Sequence, residues 1–151
     1  MRAQDTKLPN NFRRPSDPEA TVQDRPTFDE LLAAIEHFLD TEIVPNVPGS
    51  RGFHARVSAN TIRIIRRELA LEEEQLTAEW DGLGALLGHA ERPVDRATLR
   101  AELRSRNEAL CQLIRDGDAD GGPFAERVRS HVRAVITEKL RVTNPDLLAR
   151  S

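Results

Sequence analysis

Cysteine occurs once in this chain, at Cys111, and tyrosine not at all; the aromatic share is 4%. A single thiol cannot form an internal disulfide framework, which excludes the small disulfide-stapled secreted scaffolds and suits a reducing cytosol. Excess positive charge is also missing. Lys and Arg number 22 against 25 Asp and Glu, a formal net charge of −3, so no global basic field draws the chain to a polyanion. Together with the scarcity of aromatics, this disfavours nucleic acid as a partner. No apolar run approaches the ~18 residues of a membrane span, and the opening MRAQDTKLPNNF has no apolar leader region. The expectation is a soluble, cytoplasmic protein.

The signatures of common catalytic sites are missing too. There is no G-x-S-x-G, no G-x-x-x-x-G-K-[ST] and no G-x-G-x-x-G, and GLGALLG (82–88) spaces its glycines too widely for a phosphate cradle. H-E-x-x-H and paired cysteines are absent, and none of the four histidines follows a Glu by three residues, as helical di-metal centres require. No metal and no cofactor is therefore expected. Cys111, beside Leu110 and Leu113, reads as a small buried thiol. One stretch imitates a metal loop. DGDADGGPFAER (116–127) has Asp at its first, third and fifth places and Gly at the sixth, as an EF-hand begins. Its twelfth place is Arg127 where calcium needs a bidentate Glu. Glu126 comes one residue early, which turns its carboxylate about 100° away on a helix. The stretch reads as a turn leading into a helix.

What the chain has in abundance is helix-forming residues. Charged residues make up 31% of it, and Leu, Ala, Arg and Glu dominate. Residues 1–24, with Pro9, Pro15 and Pro18 and little apolar periodicity, read as a mobile N-terminal tail, and 25–151 as one helical domain. Thr27 and Glu30 form a capping box for a first helix, which Pro45 and Pro48 end. FHARVSANTIRIIRRELAL (53–71) reads as a second helix and EEEQLTAEWDGLGALLG (72–88) as a third. Asp95 caps a fourth, and Pro123 opens a fifth that Asn144-Pro145 terminates. No segment alternates with period two. The expected fold is all-α: a four- to five-helix bundle with antiparallel neighbours and short connections.

Several polar residues fall on faces that periodicity marks as apolar. On the second helix Phe53, Val57, Ile64, Ile65 and Leu69 define a core side, yet His54, Thr61 and Glu68 recur there every seven residues, with Asn60 at its edge. On the fifth helix Lys139 lies among Val132, Val135 and Ile136, and His131 lies beside Val128 and Val135. Burying such groups unpaired costs several kcal/mol, so they must find partners or face a cleft. Two readings stay open: a buried network fixing helix register, or a small polar pocket for a ligand or a partner's charged group. Arg56, Arg63, Arg66 and Arg67 occupy the opposite face, a solvated basic stripe that is also a candidate partner surface.

The stretches QDRPTFDELLAAIEHFL, FHARVSANTIRIIRRELAL, NEALCQLIRDGD and EKLRVTNP resemble a family of short bacterial proteins classed as a domain of unknown function. The resemblance runs from about Gln23 to Pro145. Its motif positions map onto His54, Arg56, Asn60, Glu68, Asn107, Lys139 and Asn144. Members are often encoded beside aminoglycoside-phosphotransferase-like kinases and acyl-CoA dehydrogenases, which implies a setting in acyl-CoA metabolism and a partner kinase. The expectation is a non-enzymatic accessory protein binding such a kinase. The alternatives are a small enzyme or ligand-binding protein for an acyl-CoA-derived metabolite, using a polar interhelical pocket, and a self-associating structural protein, a homodimer included.

Overall fold

The computed structural model describes residues 25–150. Residues 1–24, read above as a tail, lie outside the described residues, as does Ser151. The described chain is all-α, with no strand. Helix α1 spans Phe28–Phe38. Its capping box forms as the T-x-x-E spacing predicts: the Thr27 amide donates to Glu30 Oε2 at 2.7 Å and the Glu30 amide to Thr27 Oγ1 at 3.2 Å. A single π-helical turn, Leu39–Ile43, extends it toward the two prolines. Helix α2, Gly49–Leu87, then runs 39 residues, about 58 Å at 1.5 Å per residue. Helix α3 is Arg96–Arg115, α4 Gly122–Thr143 and α5 the single turn Pro145–Leu148.

The second and third expected helices are thus one. Nothing between Phe53 and Asp81 is Gly or Pro, and Glu72, Glu73, Glu74 and Gln75 are strong helix formers, so no local signal breaks the chain there. It ends at Gly88, whose φ of 97° only glycine adopts freely.

Two of the helix pairings are antiparallel. Asp29 meets Arg66 and Asp40 meets Arg63, so α1 runs back along the N-terminal half of α2. Gln75 Nε2 donates to the Glu138 carbonyl at 2.9 Å and Arg67 Nε to the Val142 carbonyl at 2.6 Å, so α4 runs back along the C-terminal half. The pairing of α2 with α3 departs from the expected antiparallel neighbours. Glu72 with Arg96 and Glu79 with Asn107 advance together, and the two helices are parallel. Residues 88–95 make this possible by climbing back beside α2 as extended chain, where Arg92 pairs with Glu73. Eight extended residues span about 26 Å, enough to retrace some fourteen residues of helix. Asp95 then caps α3, taking the Thr98 amide at 2.8 Å, a bond that holds its carboxyl below the usual range.

The core lies along the C-terminal half of α2: Trp80, Leu83, Leu99, Leu103, Leu110 and Val128, flanked by Leu76, Leu86 and Phe124. Arg106 stacks 4.8 Å over the Trp80 ring and donates to the Gly88 carbonyl. Cys111 is exposed, not buried as expected; Leu110 takes the core position, and one residue further the helix has turned about 100°. The 116–121 stretch is a connector; Gly117 within it (φ 91°) and Gly122 just after it (φ 73°) set the reversals. Gln112 donates to Asp116 at its start at 2.9 Å.

The N-terminal half of α2 differs most from the periodicity reading. Phe53, Val57, Ile65 and Leu69, expected on the core side, are 58, 47, 42 and 58% exposed. The buried positions are Gly52, Ala55 and Ala59, a small-residue stripe, and at Gly52 the 44–47 turn lies directly against it. The expected basic stripe is drawn into the contact of α2 with α1. Arg66 bonds Asp29 at 2.7 Å and Glu36 at 2.8 Å, and Arg63 bonds Glu36 at 2.8 Å and pairs with Asp40. The Arg66 hydrogen bond holds the Asp29 carboxyl below its usual range. Of the four arginines only Arg56 stands fully exposed, with no ion pair to any described residue.

Gly52 lets the 44–48 turn lie against the first turn of α2: a methyl group there would overlap the Val47 carbonyl oxygen. Gly→Ala in a helix is ordinarily stabilising, by roughly 0.5–1 kcal/mol. We expect Gly52→Ala instead to destabilise by about 1–3 kcal/mol, as overpacking against backbone does. Thermal melts followed at 222 nm check this; an unchanged or raised melting temperature would show that the 44–48 turn simply gives way.

A candidate binding cleft between α2 and α4

Along the α2–α4 seam the facing positions are seven residues apart on each helix. Glu68, Gln75 and Gly82 come from α2, His131 and Glu138 from α4. Gln75 meets Glu138, and Gly82 meets His131 so closely that a methyl group at Gly82 would overlap the imidazole. With Ala78 and Ala134 also on this seam, the two helices leave space between them. A cleft of about 550 Å³ results, walled by Leu76, Val135 and Val142, with Arg100 reaching in from α3.

Most of the charges in the cleft are answered within the chain. Glu72, 8% exposed, lies between Arg96 at 2.9 Å and Arg100. Glu138 accepts from Arg141 at 2.8 Å, and Glu79 from Asn107 Nδ2 at 2.8 Å, which also donates to the Leu103 carbonyl. Three groups are left over. Glu68 and Lys139 present opposite charges from opposite helices without forming an ion pair with each other or any described residue. His131 has its Nε2 buried with no hydrogen-bond partner among the described residues. Burial pushes the His131 pKa down against the opposing pull of Glu79, so the ring is neutral at neutral pH.

Of the six polar residues singled out by periodicity, the cleft gathers Glu68, His131 and Lys139. His54, Asn60 and Thr61 lie outside it, exposed on the N-terminal half of α2, with the Thr61 hydroxyl donating to the Val57 carbonyl at 3.0 Å. Glu68 and Lys139 are exposed at the cleft instead of joined in a buried network. Sequence reasoning missed Glu72, Gln75, Glu79, Arg100 and Glu138. Gln75 was within reach, since the spacing 54, 61, 68 continues to 75 and 82 once the helix is not divided at Glu72. Asn107 and Asn144, marked by the resemblance, have structural places: Asn107 ties α3 to Glu79, and Asn144 is the junction of α4 with α5. Among the described residues no group of three or more His, Cys, Asp or Glu side chains is disposed to hold a metal ion. No helix there is long and apolar enough to cross a membrane.

The family described as a domain of unknown function, DUF6285, matches residues 45–147. The chain belongs to the DUF6285 family. The matched range takes in α2, α3, α4 and the whole cleft. It leaves α1 outside, so QDRPTFDELLAAIEHFL is not part of the DUF6285 match. No curated protein matches the chain, and no solved structure does.

The lowered pKa of His131 has a consequence for stability. Below the ordinary histidine value of about 6.5 the unfolded chain takes up a proton that folded His131 refuses, so stability is fully present above that value and falls as the pH drops from it toward the folded pKa. We expect the melting temperature to decline as the pH falls below about 6.5, and the decline to flatten in His131→Gln. Equal slopes in the two proteins would show that the imidazole is solvated.

Proposed function

We propose that this DUF6285 protein is a cytosolic binding protein for a small amphipathic organic molecule, held between α2 and α4. The observation that carries this reading is the cleft, which has apolar walls, two exposed charges without an ion-pair partner among the described residues, and the His131 ring in its lining. Its 550 Å³ is within the size range of small-molecule sites, which combine apolar walls with a few placed polar groups. Binding without turnover is the reading because Glu68, Lys139 and His131 supply no nucleophile with its activating base. An acyl-CoA-derived metabolite, the class the family resemblance suggests, has the required mix of apolar chain and polar groups. Filling the cleft tests this. Val135→Trp places an indole where the ligand would lie, at a half-buried wall position that tolerates a larger side chain better than the core does. Native mass spectrometry of freshly purified protein, with titration of the apolar dye 8-anilino-1-naphthalenesulfonate, reads the result. Carried ligand and dye binding should both fall at least about tenfold in the variant; dye binding equal to wild type would place the apolar site elsewhere.

A second reading rests on a different observation, the exposed Phe53, Val57, Ile65 and Leu69 with Arg56 beside them. Exposed apolar residues in such number on one helix mark an interaction surface. They support the accessory role toward a phosphotransferase-like kinase that the resemblance implies. Pull-down of tagged protein from native lysate should recover that kinase stoichiometrically and lose it with Val57→Glu/Ile65→Glu. Recovery of the bait alone, with the kinase expressed, removes this reading, and recovery of a second copy of the chain points to self-association.

A further inference from the structure

The chemistry of the three unanswered groups narrows what the cleft takes. Four carboxylates line it, and three are engaged: Glu72 by two arginines, Glu138 by Arg141 and Gln75, Glu79 by Asn107. Of the cations, Arg100 is held by Glu72. The unengaged charges are one carboxylate, Glu68, and one ammonium, Lys139, facing the same space from opposite walls. A ligand carrying a single charge satisfies one of these and sets a like charge against the other, which lowers its affinity. A ligand carrying both charges satisfies both. The third group has a different requirement. A neutral imidazole with one buried, unpartnered nitrogen calls for an uncharged hydrogen-bonding group, and leaving it unmet costs on the order of 1–3 kcal/mol. His131 and Lys139 stand eight residues apart on α4, roughly 12 Å along its axis. Between them the cleft offers Ala134 and Val135, faced by Leu76 and Ala78.

We infer that the cleft binds a zwitterionic amphiphile. Its head carries an ammonium toward Glu68 and a carboxylate toward Lys139, and its apolar body ends in a hydroxyl or carbonyl at His131 Nε2. The inference rests on the cleft being a ligand site, and its test separates the two claims. Three probes are built on the same ten-carbon chain and carry different heads: decanoate, decylamine and 2-aminodecanoate. Calorimetric titration of the full chain is paired with the NMR resonances of the His131 ring, which report whether a probe reaches the inner end.

The zwitterion should bind about tenfold or more tighter than either singly charged probe. Glu68→Gln should abolish its advantage over decanoate, and Lys139→Gln its advantage over decylamine. Both substitutions are at exposed positions that no described residue bonds through its side chain, so folding is unaffected. A hydroxyl at the tail end should raise affinity in wild type and not in His131→Phe. Decanoate or decylamine binding as tightly as the zwitterion, with the His131 resonances shifting, overturns the ligand class and leaves the cleft as a binding site. No shift with any of the three probes overturns both.

Discussion

A 39-residue helix cannot be covered along its whole length by a partner of 22, and the architecture follows from that mismatch. Helix α2 is the spine, and every other long helix packs on a part of it. On its C-terminal half α3 and α4 bury Trp80 and Leu83 and form the core. On its N-terminal half only α1 and its π-helical extension pack, tied through Arg63 and Arg66, and the larger apolar residues of the other side are left in water. The core, the cleft and the open apolar stripe are thus successive stretches of one rod, distinguished by what lies against each.

The local grammar of the chain was legible. The capping box at Thr27, the Asp95 cap, the proline stops and the all-α composition all appear where the sequence places them. Periodicity left two things illegible. Periodicity shows that a helix has an apolar face, but not that a partner is long enough to cover it; Phe53 and Leu69 carry the same pattern as buried residues and are exposed. Nor does periodicity weigh small residues, so the buried stripe of Gly52, Ala55 and Ala59 looked unremarkable beside a row of larger apolar side chains. The parallel run of α2 and α3 was hidden as well, because an eight-residue connection reads as a loop whether it turns the chain or carries it back.

Of the polar residues that periodicity marks, only three come together. Glu68, His131 and Lys139 converge because the two helices share a seven-residue register, and such a register brings together residues far apart in the chain. His54 and Thr61 share that register on α2 but lie beyond the end of α4, so the same spacing yields a cleft in one half and open surface in the other. Small and polar residues at facing positions keep the seam from closing. Leucines at Gln75, Ala78 and Gly82 would fill it and leave no space for a ligand.

Trp80, the one tryptophan, lies in the C-terminal half beneath Arg106, and the chain has no tyrosine to report from anywhere else. The molecule therefore carries its intrinsic fluorophore entirely within one half. Light emitted near 340 nm follows the fate of the α2–α3–α4 core and is blind to α1, whereas the far-ultraviolet dichroism sums over every helical turn. If the small-residue contact at Gly52 loosens before the core does, the two signals part company, and their divergence measures how far the two halves of one continuous helix unfold as separate units.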